Sequence, residues 1–349
     1  MSKFYRTLPL SASTSYAQLH SAAIAMELAR DVSHLHGSFA SKKVRGSTQW
    51  YFAFREADQR VRQIYVGPDS AEVRALVAKA KVEAPGKSLK PLARSAATLG
   101  NAVIQRRQLS VILRLNEFGF FRAGGVLVGT HAFLAFANQL GLHWHEASQS
   151  LDVDFAHAGH NLSIALPTNV EAKPHAALTT MDEGFLPIAQ YRGVGVGTYR
   201  QKDEPDFQID FLTPESDTKE DRVRVEHLDV AMQPLRFMEF SLEQIEQATM
   251  IDATGRCVVV SLPSPARYAV HKLLIVGERV GAFRAKITKD LAQAASLIEY
   301  YAATDVELLR DAWKDARSRG PSWVKRADEG WKALKTFAPE QARALLGKA

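Results

Sequence analysis

Residues 126–156 read VLVGTHAFLAFANQLGLHWHEASQSLDVDFA, and the rest of the chain is organised around how that segment alternates. Val126-Leu127-Val128 has the apolar run of a buried strand, and an apolar helical pattern follows over 130–140. Between them Gly129-Thr130 makes a tight turn that opens the helix. Such a turn aims free backbone N–H groups and the positive end of the helix dipole at an anion. Gly129 has no Cβ, so a phosphate can approach the backbone closely, and the Thr130 hydroxyl adds a donor. A second strand is predicted over 151–156. Its period of two puts Asp152 and Asp154 on one face, about 7 Å apart at Cα, with Val153 and Phe155 turned into a core.

Two carboxylates on one face repel unless a cation lies between them. Mg²⁺ suits such oxygens and completes its shell with triphosphate oxygens. FQIDFLTP, residues 207–214, supplies a third carboxylate. Asp210 stands among Phe207, Ile209, Phe211 and Leu212, where an unpartnered charge would be costly. Three carboxylates on two cations is the arrangement that drives in-line phosphoryl transfer. A lone DxD is more often a pair of strand-end aspartates. The glycine turn upstream and the buried setting of Asp210 favour a site.

Upstream, Leu19, Ala23, Met26 and Arg30 give residues 14–36 a helical spacing, with Gly37 as C-cap. Strands are expected over 38–45, 48–55 and 60–66, then a break at Gly67-Pro68-Asp69-Ser70 and a short helix. Residues 84–91, APGKSLKP, read as a linker, and one long helix is predicted over 91–117, ending near Gly119. Downstream the pattern gives a hairpin near 191–200 and 206–213, and a helix starting at Ser241, where Ser241 and Gln244 form a capping box. A strand follows near 257–261, and helices fill most of 265–348. The expected class is α+β. A helix plus three-stranded sheet module occupies 1–85, a connecting helix 86–119, a mixed-sheet core 120–262 and a helical C-terminal region 263–349.

Together, Gly129-Thr130, Asp152-Val153-Asp154 and Asp210 resemble the nucleotidyltransferase superfamily of the polymerase-beta type. That superfamily carries a glycine followed by Ser or Thr, a DxD or DxE pair and a third carboxylate. LVGTHAF, DVDFA and FQIDFLTP are also similar to an uncharacterised bacterial nucleotidyltransferase-like family. This likeness runs over most of the chain, including GSFASKKVRGSTQWYF at 37–52. More distantly the chain resembles the nucleotidyltransferase toxins of abortive-infection systems, which carry a lysine and a further aspartate on helices after the strands. Lys272 and Arg279, seven apart on one predicted helix face, resemble the toxins' phosphate-binding pair, and Asp290 in KITKDL resembles their helical aspartate. Thr130 stands where many branches have Ser, and the interval from Asp154 to Asp210 is unusually long.

The resemblance implies an enzyme that binds an NTP with Mg²⁺ (or Mn²⁺) and transfers the NMP to an acceptor hydroxyl, releasing pyrophosphate. Asp152 and Asp154 would hold the metals. Asp210 would bind the acceptor-side metal and help deprotonate the hydroxyl. Gly129 and Thr130 would hold the terminal phosphates, and Lys272 would neutralise them. The toxin likeness leaves a toxin–antitoxin or defence role open. The competing class is an inactive nucleic-acid-binding regulator on the same fold, against which the three intact aspartates argue.

Other features are weaker. His143 with His145 and His157 with His160 lack a third ligand at a zinc spacing. Gly193, Gly195 and Gly197 alternate with valines and read as a thin strand, since no helix follows them to make a phosphate loop. His131 is expected to be packed or to support the site from behind rather than to act in catalysis. Lys286, Asp290 and Gln293 share a helix face, where a Lys286–Asp290 pair reads as surface support. Lys42, Lys43 and Arg45 lie among Trp50, Tyr51 and Phe52 on short strands, a setting that suits either nucleic acid or a small solvated sheet.

Forty-four Lys and Arg against 38 Asp and Glu leave a net charge of +6, which permits an acidic partner without demanding one. The excess concentrates in 37–125, so RNA, tRNA included, is favoured as acceptor over a protein side chain or small molecule. No apolar run is long enough to span a bilayer, and MSKFYRTLPLSASTSYAQL lacks the apolar core of a signal peptide. A single cysteine, Cys257, excludes an internal disulfide and a cysteine-rich zinc site. A cytoplasmic protein without membrane association is expected.

Overall fold

A computed structural model describes residues 2–28, 37–44, 46–55, 61–82, 89–145, 152–158, 172–181, 184–188, 197–204, 206–215, 223–225, 228, 230–278 and 284–346. The chain begins with strand β1 (Tyr5–Thr7) and helix α1 (Leu10–Leu28). α1 starts earlier than expected, and 29–36 lie outside the described residues. An antiparallel sheet follows, β2 (Gly37–Val44), β3 (Ser47–Arg55) and β4 (Val61–Pro68), side by side in chain order. Helix α2 (Ala71–Val82) comes next. Among the described residues, none of these three strands contributes to the buried apolar clusters of the rest of the chain.

The single helix expected over 91–117 is two: α3 (Lys90–Thr98) and α4 (Arg106–Glu117). Gly100, at φ +100°, stops the first. Asn101 then locks the corner, its buried amide donating to the Ala12 and Ala96 carbonyls at 3.0 Å each. Helical spacing of apolar residues continues on both sides of that corner, so periodicity alone merges the two.

The central part runs β5 (Val126–Val128), α5 (Gly129–Leu140), β6 (Leu142–Trp144), β7 (Val153–Ala156), α6 (Pro174–Thr179), β8 (Phe185–Pro187), β9 (Thr198–Gln201) and β10 (Gln208–Pro214). It continues with β11 (Val223–Val225), β12 (Val230–Leu235), α7 (Met238–Leu242), β13 (Ile245–Ile251) and β14 (Cys257–Pro263). The described strands form a mixed sheet in the order β11-β12-β10-β7-β5, with β9 also on β10 and β8 on β9. β7 and β10 are parallel and β5 joins β7 antiparallel; of the hairpin expected near 191–200 and 206–213, β9 and β10 pair antiparallel, and 191–196, with Gly193 and Gly195, lie outside the described residues. Period-two alternation buries Ile209, Phe211 and Thr213 behind the sheet and leaves Gln208, Asp210, Leu212 and Pro214 half-buried on its front. Behind it, Phe120 packs edge-on against Phe155 and Phe211 at 5.4 and 5.7 Å. β6, unforeseen in the sequence, pairs with β1.

The helix expected to start at Ser241 is absent. Ser241 lies near the end of short helix α7, and Ile245–Ile251 is a strand, paired antiparallel with β14. The capping-box spacing is present, but β-branched Ile245, Thr249 and Ile251 find a partner strand, and that pairing decides the local structure.

Helices α8 (Pro265–Glu278), α9 (Arg284–Thr304), α10 (Val306–Ser318), α11 (Pro321–Phe337) and α12 (Pro339–Leu346) complete the fold. One apolar core runs from Phe4 through the sheet to Leu345, so these helices are packed onto it. No helix among the described residues is long and apolar enough to cross a membrane.

α8 and α11 approach through two glycines. A Cβ on Gly330 would run into the Leu273 carbonyl, and one on Gly277 would meet the Arg326 carbonyl at 2.6 Å. Backbone cannot give way as a side-chain tip can. Gly330→Ala should therefore destabilise the fold by about 1–3 kcal/mol, the usual cost of overpacking, despite the better helix propensity of alanine. Urea unfolding of the two proteins checks this, and a variant as stable as the parent contradicts the close crossing.

Candidate active site

Gly129 is the first residue of α5 and has φ +63°, a backbone conformation that a Cβ disfavours. Space reinforces the requirement: a Cβ there would collide with Asp154 Oδ2. Asp154 faces Val128 across one strand pair and Asp210 across the other, so the carboxylate row runs directly beneath the turn. Asp152 stands just before β7 rather than within it. Period two still relates the pair, and the Asp210 charge raises the pKa of both after burial does.

Burial pushes the Asp154 carboxyl up to about 6, and the neighbouring Asp210 and Asp152 push the same way against the pull of Lys272 and Lys286. Asp152 is also raised, by burial first, against Lys286 and with Asp210. Asp210 is held by two donors: Thr198 Oγ1 reaches Oδ1 at 2.7 Å and Gln208 Nε2 reaches Oδ2 at 2.6 Å. That explains how a carboxylate survives on a strand among Phe207, Ile209 and Phe211.

Helices α8 and α9 close the front. Lys272 and Asp290 form a buried ion pair at 2.7 Å. Burial works against the Lys272 charge, but Asp290 and the Tyr268 ring, 5.1 Å from Nζ, outweigh it, and its pKa is raised. The Lys286–Asp290 surface pair read from sequence is thus replaced by Lys272–Asp290 across two helices. Lys286 and Lys289 also line the cleft. The Tyr268 hydroxyl donates to the Gly129 carbonyl at 2.8 Å and stands 2.9 Å from Gln293 Oε1. Gln293 Nε2 in turn lies 3.5 Å from Thr130 Oγ1. His131, as expected, is packed. Burial and then Lys289 hold its pKa down to about 4, so it is neutral, and it is hydrogen-bonded to the Asp152 backbone.

All of Gly129, Thr130, Asp152, Asp154, Asp210, Lys272 and Asp290 line one cleft of about 370 Å³. Arg279 and Arg45 lie outside the described residues. Lys42 and Lys43 are exposed on β2 and do not line the cleft. His145 contacts the Lys3 carbonyl at 3.0 Å and His157 the Ala123 carbonyl at 2.7 Å, and His160 is outside the described residues. Tyr268, Lys289 and Gln293 were not legible as site residues. Their helical spacing marks a face, but only packing shows that the face meets the glycine turn.

A family model described as nucleotidyltransferase matches residues 106–318. The chain belongs to the nucleotidyltransferase family. The matched segment runs from the start of α4 to the end of α10, so it contains α8 and α9 with Lys272 and Asp290 as well as the sheet. Among solved structures, this nucleotidyltransferase is similar to an antigenic nucleotidyltransferase-like protein from Paracoccidioides brasiliensis. Identity is 13% over 64% of this chain and 92% of that one, with a TM-score of 0.30. No curated protein matches.

The chemistry of the donors fits a hard divalent cation: three carboxylates, two of which have pKa values raised by burial first and by the neighbouring Asp210 charge as well. The fit has a condition. Among the described residues no three acidic, histidine or cysteine groups are gathered at metal-ligand distance. Each Asp210 oxygen accepts one hydrogen bond and keeps a further lone pair for a cation.

The Asp154 shift fixes a pH dependence for the metal-free protein. Unfolded, this carboxyl releases its proton near 3.8; folded, it keeps it to about 6. The folded state binds more protons in between, so this contribution is favourable at low pH and is lost as pH rises through that window. Asp154→Asn carries no charge and escapes the loss. In chelator it should melt with the parent near pH 4 and above it at pH 7–8. Gly129→Ala should do the reverse and melt lower, because it meets both the positive φ and the Asp154 carboxylate. Differential scanning calorimetry across pH measures both. An Asp154→Asn protein that melts lower at pH 8 would falsify the repulsion.

Proposed function

We propose that this family member is a metal-dependent nucleotidyltransferase that moves NMP from an NTP to an acceptor hydroxyl and releases pyrophosphate. The observation that carries the reading is the in-register pair Asp154–Asp210 on adjacent strands beneath the Gly129 turn, faced by Lys272, Lys286 and Lys289. It joins a row of negative oxygens to a positive helix face, the two halves that a metal triphosphate needs.

In this reading Asp152 and Asp154 hold Mg²⁺ (or Mn²⁺), and Asp210 completes the set on the acceptor side. The bound metal would supply charge neutralisation of the triphosphate and acidification of the acceptor hydroxyl. The first N–H groups of α5 and the Thr130 hydroxyl receive the terminal phosphates. Tyr268 fixes the Gly129 carbonyl, which keeps those N–H groups aimed. Lys289, whose pKa is lowered by burial and by Lys272, and Lys286 take the remaining phosphate charge. Lys272 stays protonated on Asp290 and contributes a fixed positive charge close to Asp154.

RNA is favoured as the acceptor. The support is the basic balance of 37–125 and the sheet face on which Lys42 lies 5.2 Å from the Tyr51 ring, beside Tyr65, which is 55% exposed. A regulator that binds nucleotide without turning it over is the second reading. It is favoured by the absence, among the described residues, of three acidic, histidine or cysteine groups gathered at metal-ligand distance.

Two measurements decide. Each NTP with Mg²⁺ should raise the melting temperature, and labelled NMP should be transferred to RNA or protein. Asp154→Asn and Asp210→Asn should lower transfer by at least about 100-fold, since the metal carboxylates carry much of the transition-state charge stabilisation. NTP stabilisation without any transfer selects the regulator. Separately, Lys42→Ala with Lys43→Ala should weaken RNA retention. Its salt dependence should flatten by roughly 0.7 in log–log slope for each phosphate no longer neutralised. Unchanged retention places the acceptor elsewhere.

A further inference from the structure

The cleft has a second half that phosphate and metal would not use. Beyond Asp210, the same face of β10 presents Leu212, two residues on and about 6–7 Å along the strand. That is about the distance a ribose puts between its α-phosphate and its base. Gln233 on β12 is in register with Leu212, and Leu235 lies one step further on the same face. Val128, Met238 and Ile275 complete an apolar wall. The cleft therefore changes from charged to apolar along one strand direction, starting at the carboxylates.

Two polar groups interrupt the apolar half. Ser241 is 1% exposed and lines the cleft. It caps no helix, although its sequence context suggested that role. Ser241 thus sets a hydroxyl in an otherwise apolar wall. Gln233, exposed on its strand, lines the same space. The element that carries Ser241 is placed under strain. Phe237, just before α7, is the one non-glycine residue at positive φ (+63°) among those described, and its ring is held edge-on to Trp323 at 4.6 Å. That turn points Met238 and Ser241 into the cleft.

We infer that the apolar half of the cleft takes the nucleobase of the bound NTP, and that Ser241 and Gln233 read its edge and set which NTP is preferred. The inference rests on the nucleotidyltransferase reading above and assigns the specificity residues that reading lacks. A few convergent polar groups in an otherwise apolar pocket are how small-molecule sites obtain orientation and discrimination. The hydroxyl and the amide can each both donate and accept. A base edge that satisfies both is preferred over one that leaves either desolvated and unpaired.

The test uses the full chain and calorimetric binding of each of the four ribonucleoside triphosphates and of inorganic triphosphate, all with Mg²⁺. The wild type should discriminate among the four NTPs. Ser241→Ala and Gln233→Ala should each lose roughly three- to tenfold in affinity for the preferred NTP, the worth of one hydrogen bond. The preference should narrow, and inorganic triphosphate should bind as before. Ser241→Leu, which fills the wall, should exclude all four NTPs and spare triphosphate. If triphosphate and NTPs all fail to bind the wild type, the nucleotidyltransferase reading itself falls. If triphosphate binds but the wild type does not discriminate, or the variants leave the NTP preference unchanged, the base-reading role of Ser241 and Gln233 is overturned. A rise in acceptor KM with NTP affinity unchanged also overturns it and gives the pocket to the acceptor.

Discussion

Asp154 is wedged against a backbone that has room for it only because residue 129 is glycine. The carboxylate occupies the place where any other residue at 129 would carry its Cβ, and Asp210 presses from the next strand. Around that contact the other elements fall into place. β5 and β7 must pair so that Val128 faces Asp154, α5 must begin at the turn, and β10 must run parallel to β7. The arrangement is unfavourable in itself, since burial and like charge both resist ionisation of Asp154. A fold that retains such a cluster has to compensate elsewhere, and strained or repulsive groups of this kind collect at functional sites.

Compensation comes from helices distant in sequence. Lys272 on α8 and Lys286 and Lys289 on α9 face the acidic row, while Asp290 ties Lys272 across the two helices. Tyr268 fastens α8 to the Gly129 carbonyl, so the helix that brings the positive charge also sets the angle of the turn. α11 crosses α8 at glycine distance, and one apolar core extends from the sheet into these helices. The C-terminal helices are therefore part of the cleft's construction, in keeping with a family match that runs on to residue 318. A second ionic cluster reinforces the same junction: Arg267 reaches both Glu243 beside α7 and Asp315 on α10. It secures the short helix whose Met238 and Ser241 form the far wall.

Much of this was readable from local pattern. Period-two alternation placed β7 and β10, the apolar run and glycine placed β5 and α5, and the three meander strands were marked by their turns. Asp152, Asp154 and Asp210 could be picked out because a carboxylate among apolar strand residues is costly without a partner, a property of composition at single positions. Local pattern failed where two local answers were compatible with one spacing. Ser241 and Gln244 spell a capping box, yet β13 pairs with β14 there. The 91–117 pattern is helical on both sides of Gly100, yet Asn101 turns the chain.

The α+β order, the strand–glycine–helix turn and the identity of the acidic residues are written in local pattern, because each depends on neighbours within a few positions. Which charges face them is a matter of long-range packing. Lys289 and Tyr268 sit on helical faces that look like many others until α8 and α9 are laid across the sheet. The Lys272–Asp290 pair replaced the Lys286–Asp290 pair that helical spacing offered. Ser241 changed from a cap to a wall residue for the same reason: a side chain's role is set by what packs opposite it, and that partner is chosen by the long-range burial of apolar faces.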